Sequence, residues 1–244
     1  MNALHIMSAL NVCLLLIIGA LCVRYKVLTK IVGIITHEGI IDPLTTERYH
    51  FQVDVFGNAP SYDGDDDVIV MLGDSLTENT PFNELLNFRH KIKNRGISSD
   101  NTRGILHRID EAIGIKPAKM FMLLGINDIG NDMPLTESMS NYREIVRRVK
   151  MSSPATKIYI QSVFPVDHKK LADNARCRRR TNNAITAFNA ELQRLAEELG
   201  CEFVDTYSVF AVDGEMDNAC TFDGLHLNGT GMMKWCNFLE QYMQ

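Results

Sequence analysis

Beyond residue 66 the chain alternates short apolar runs with longer amphipathic stretches. The runs 68–72 and 120–124 carry branched and other apolar side chains without a polar residue at every second position. That pattern predicts strands buried on both faces. A further strand is expected at 157–161, a weaker one at 91–94 and a short one at 202–204. Helical periodicity marks 81–88, 102–113, 136–150, 181–199 and 230–242. Strand and helix in alternation imply a parallel sheet with helices on both faces, an α/β chain. No repeat or low-complexity tract interrupts the order.

The N-terminal end has a different texture. Residues 9–23 are almost wholly apolar, and counting back to Ala3 gives a segment of membrane-spanning length broken by His5, Ser8 and Asn11. Arg24, Lys26 and Lys30 follow it. The segment is expected to be a membrane anchor or an uncleaved signal, so the chain divides into residues 1–30, a linker or arm over 31–65 and one globular domain over 66–244. The basic flank places that domain in the cytoplasm by the positive-inside rule, although no Lys or Arg precedes the segment.

Charge narrows the choices little. The 244 residues carry a net charge of −5, which gives no support for binding nucleic acid. A basic stretch from His168 to Arg180 follows the strand expected at 157–161. It reads as a solvated loop, with steering of an anionic substrate as the alternative. Of six cysteines, Cys13 and Cys22 lie in the apolar segment. Cys177, Cys201, Cys220 and Cys236 allow three pairings, and the spacing selects none. No Cys-x-x-Cys or histidine cluster points to a metal, and no cofactor is expected.

The candidate chemistry sits at the ends of the apolar runs. Gly73-Asp74-Ser75-Leu76 directly follows 68–72, and the C-terminal ends of parallel strands are where open α/β sheets bind ligands. A serine hydroxyl becomes nucleophilic when a base takes its proton, and a neutral imidazole suits that task. His226 is the candidate base. Asp223, three residues earlier, can hold the imidazole in the correct tautomer. Asn94-Arg95-Gly96 and Gly125-Ile126-Asn127-Asp128 close two further strands. Singly, each is ordinary turn or capping chemistry. Their order along the chain is what points to a joint site. Asp74 and Asp128 are read as structural.

These blocks together resemble the SGNH hydrolases, also called the GDSL esterase and lipase family. The closest likeness is to the small branches similar to platelet-activating-factor acetylhydrolases and to carbohydrate acetylesterases, and it covers roughly residue 66 to the C-terminus. The resemblance implies a three-layer α/β/α sandwich with a flavodoxin-like, five-stranded parallel sheet. It implies a Ser75, Asp223, His226 triad and an oxyanion hole formed by the N–H of Ser75, the N–H of Gly96 and the side-chain amide of Asn127. The activity implied is cleavage of a short acyl ester, acetyl above all, on a carbohydrate or lipid through an acyl-enzyme. Transfer of the acyl group to a sugar hydroxyl, and a silent glycan-binding module, are the rivals. By the same analogy the domain lies in the cell envelope, against the cytoplasmic placement given by the basic flank.

Overall fold

Five parallel strands form the frame: β1 (Val68–Gly73), β2 (Lys91–Gly96), β3 (Lys119–Leu123), β4 (Lys157–Gln161) and β5 (Glu202–Val204). Their spatial order is β2-β1-β3-β4-β5, the flavodoxin-like order with its switch point beside β1. The computed structural model describes residues 41–59, 67–171 and 177–244. Ile41–Gln244 form one compact unit. The apolar segment 3–23 lies outside the described residues. Among those described, no helix is long and apolar enough to cross a membrane.

Every residue of β1 is buried, as a central parallel strand requires. Helices α4 (Thr102–Gly114), α6 (Leu135–Ser152) and α8 (Asn182–Leu199) pack side by side, with α4 against β1 and α8 against β4 and β5. The last helix, α10 (Gly229–Met243), covers the other face of the sheet. There Phe121 stacks on Tyr159 at 4.4 Å, and Tyr242 meets Tyr159 edge-on. Trp235 is fully buried against Phe82 and Phe164, and its indole N–H donates to Gln161 Oε1 at 2.8 Å. That bond satisfies the polar end of a ring whose remaining surface is apolar. It also fixes the helix that follows the C-terminal motif.

The elements depart from the periodicity in instructive places. The expected helix at 81–88 shortens to α3 (Phe82–Leu85), because Asn87 and Phe88 turn to positive φ. The strand at 91–94 runs on to Gly96, in register with Gly73. Helix α1 (Glu47–Asn58), within the stretch read as an arm, packs on the domain through Tyr49, whose hydroxyl donates to the Gly104 carbonyl at 2.7 Å. Short helices α2 (Ser75–Glu78), α5 (Ile126–Gly130), α7 (His168–Leu171) and α9 (Tyr207–Phe210), with a β6–β7 hairpin (Ala211–Val212, Glu215–Met216), complete the rim and edges.

Candidate active site

Ser75 opens α2 one residue past the turn that leaves β1. Asp74 caps the helix, its Oδ1 accepting from the Leu76 N–H at 2.9 Å. Gly73 allows the turn because a Cβ there would lie 2.9 Å from the Leu123 carbonyl oxygen. The serine is thereby presented at the C-terminal edge of the sheet.

His226 arrives from the far end of the chain. Ser75 Oγ lies 3.0 Å from His226 Nε2, and His226 Nδ1 lies 2.7 Å from Asp223 Oδ2. A carboxylate only accepts, so Nδ1 carries the ring proton and Nε2 is left to accept from the serine. Asp223 Oδ1 also receives the N–H groups of Leu225 and His226, at 2.9 and 2.7 Å. Burial pushes the Asp223 carboxyl up, but these hydrogen bonds outweigh it and hold the group below its ordinary value. Thr221 ties the loop further, donating to the His226 carbonyl and accepting from Gly224. Asn228 then caps α10.

Asn127 stands at the start of α5. Its Nδ2 donates to the Asp100 carbonyl at 2.8 Å, and its Oδ1 accepts from Arg180 Nη2 at 2.9 Å. Arg180 offers only donors and the carbonyl only accepts, so the amide orientation is unambiguous. The second Nδ2 hydrogen has Asp74 Oδ2 at 3.5 Å, at the limit of hydrogen-bond reach.

Gly96 reaches the same rim, yet its N–H is directed to Asn94 Oδ1 at 2.9 Å. The glycine is needed for a different reason, since a Cβ would collide with the Glu78 backbone. The expectation of Gly96 as an oxyanion donor thus meets a hydrogen already engaged. Further along the turn, Ser99 sits at φ +67°, and its N–H has no partner among the described residues. The sequence signal for Ser99 was absent, because a left-handed position announces itself through glycine.

Beneath the rim lies a layer of buried acids. Asp100 pairs with Arg108 at 2.8 Å, both side chains almost fully enclosed. Arg108 also donates to the carbonyls of Gly73 and Arg95, joining the ends of β1 and β2. Asp128 accepts from the Thr102 hydroxyl at 2.5 Å and from its N–H. Burial raises all three carboxyls: Asp74 to about 7, Asp100 to about 6, and Asp128 upward as well. Glu78 joins this layer to the turn, accepting from the N–H and hydroxyl of Ser98 and pairing with Arg48 at 2.5 Å. At the mouth, Phe222 stacks on His226 with centroids 6.0 Å apart and remains 64 % exposed. The four described cysteines are free.

The basic stretch does not behave uniformly as a solvated loop. Arg180 is buried, and its Nε donates to the Ile126 carbonyl at 3.2 Å. Two of its guanidinium bonds therefore hold the Ile126-Asn127 corner.

Comparison with known proteins agrees with this architecture. The family model described as the GDSL-like lipase/acylhydrolase family matches residues 71–234. A GDSL esterase/lipase of Arabidopsis thaliana is 28 % identical over 153 residues, covering 56 % of this chain, and the chain spans 60 % of that relative. An isoamyl acetate-hydrolyzing esterase homolog of Bos taurus is 24 % identical over 188 residues, 67 % of this chain and 76 % of its own length. Among solved structures, a platelet activating factor candidate from Streptococcus pneumonia is 29 % identical with a TM-score of 0.76, covering 81 % of this chain and 94 % of that one. A match spanning all four motif blocks, on a parallel sheet of order 2-1-3-4-5, places this chain in the GDSL-like lipase/acylhydrolase family.

Proposed function

We propose that the protein is a serine esterase that removes a short acyl group, acetyl above all, from a carbohydrate or lipid alcohol. The observation that carries this reading is the relay from Ser75 Oγ through the His226 ring to Asp223, at 3.0 and 2.7 Å. Ser75 attacks the ester carbonyl as His226 Nε2 takes its proton. The imidazolium, steadied by Asp223, then protonates the departing alcohol, leaving an acyl-Ser75 that water hydrolyses by the same proton path in reverse.

The negative charge on the former carbonyl oxygen is met by the N–H of Ser75 and by Asn127 Nδ2. The third donor is assigned to the Ser99 N–H in place of Gly96, because the Gly96 hydrogen is engaged by Asn94. Each such donor is worth about 10² to 10³ in rate. The alcohol leaves on the side of His226, beside the exposed face of Phe222. A flat apolar ring there suits the face of a sugar, which supports a carbohydrate over an extended lipid chain.

Nitrophenyl esters of increasing acyl length, offered to the full chain and to Ser75→Ala, test the reading. Acetate cleavage that fades with acyl length and disappears in the variant is the expected result. Substantial turnover by Ser75→Ala would remove the serine from the nucleophile's role. Acyl transfer to an added sugar that outpaces hydrolysis would favour the transferase.

A further inference from the structure

We propose that Arg180 is a positioning residue that orients and polarises Asn127 for oxyanion binding, an inference that rests on the donor role given to Asn127 above. The guanidinium reaches the corner of α5 with three nitrogens in fixed places: Nε on the Ile126 carbonyl at 3.2 Å, Nη2 on Asn127 Oδ1 at 2.9 Å, and Nη1 beside Cys177 Sγ at 3.7 Å. The planar fork matches two oxygens borne by successive residues, which the single ammonium of a lysine cannot reproduce.

The consequence falls on the opposite end of the amide. A charge-assisted bond to Oδ1 draws electron density from the NH2 group and strengthens it as a donor. It also forbids the flipped amide, which would set NH2 against a cation. With one Nδ2 hydrogen held by the Asp100 carbonyl, the other is left facing Asp74 Oδ2 at 3.5 Å, the limit of hydrogen-bond reach and so open to a better acceptor. The hydrogen is thus held in place before substrate arrives, which is the condition for a donor to act in the transition state.

The fold reserves room for this contact. A Cβ at Gly130 would lie 2.5 Å from Arg180 Cζ and Nη2. The clash is with the far end of a flexible side chain, so Gly130→Ala should shift the guanidinium while keeping the charge and the backbone. It complements Arg180→Met, which leaves two buried oxygens short of a donor and carries a greater risk to folding.

The test is kcat and KM for nitrophenyl acetate in Arg180→Met and Gly130→Ala, each alone and combined with Asn127→Ala, in the full chain. The expected result is a roughly ten-fold loss of kcat for each single variant with KM within about two-fold, shrinking to less than about two-fold when Asn127 is already Ala. If Arg180→Met does not fold, the Gly130→Ala cycle decides alone. Losses that multiply in the Asn127→Ala background, or single variants with unchanged kcat, would overturn the proposal. Full activity in Asn127→Ala itself would overturn it through the donor role beneath it, and the single-variant baseline separates that failure from the other two.

Discussion

Replacing Asp223 with Asn separates the carboxylate's effect on the His226 ring from its hold on the loop. Oδ1 takes the backbone N–H groups of Leu225 and His226, while Oδ2 takes His226 Nδ1. An asparagine must keep its carbonyl on the backbone side, since its NH2 would otherwise face two donors. Its NH2 then meets Nδ1, the ring proton moves to Nε2, and Ser75 faces a donor where it needs an acceptor. In serine-protease triads the same tautomer error costs about 10⁴ in kcat. Here the Asp223 and His226 side chains are 38 % and 26 % exposed, so water can support the productive tautomer part of the time. The expected loss is therefore about 10³ to 10⁴ in kcat. Because the loop's backbone bonds survive, stability should change by less than about 0.5 kcal/mol. The assay is kcat for nitrophenyl acetate beside a thermal unfolding curve. A kcat within about ten-fold of the parent, with the curve intact, would refute the argument.

Asp74→Asn should flatten the pH dependence of stability. The buried carboxyl is raised from 3.8 to about 7, so its contribution is fully present below pH 3.8 and is lost as pH rises to about 7. The variant should therefore gain stability relative to its parent at pH 8, and denaturant midpoints with no such gain would contradict the assignment. Ser99→Gly relieves a left-handed backbone and keeps the N–H; stability should rise by about 0.5 to 1 kcal/mol with kcat within two-fold. A ten-fold loss of kcat would transfer the role from the main chain to the hydroxyl.

Strands β1 and β3 were legible because burial on both faces demands unbroken apolar runs, and such runs leave little else to read. The meeting of Ser75, Asp223 and His226 was legible from residue types and order, since a nucleophile, a base and a carboxylate are each named by their chemistry. What escaped notice is held by geometry. The motif order points to Gly96 as a donor, yet only the approach of the Glu78 backbone in α2 shows why a glycine stands there. Arg180 sat in a run of basic residues, and composition cannot tell which member of such a run turns inward. Helix α1 presents one fully buried apolar side chain, Tyr49, too little for a helical stripe. The β6–β7 hairpin is absent from the periodicity reading although its signal is there: Asp213-Gly214 is the residue pair that a two-residue turn with both φ angles positive favours, and both angles are positive.

Ser75 and His226 are 151 positions apart, so neither local structure nor any single βα unit contains a working centre. His226 leads directly into α10, which Trp235 ties to β4 through Gln161. If the site acts as proposed, ester turnover reports that the chain's two most distant motifs have come together. In refolding from denaturant, ester turnover should appear with the burial of Trp235 and later than the helical signal. Activity would serve as a clock for the closing of the last helix onto the sheet.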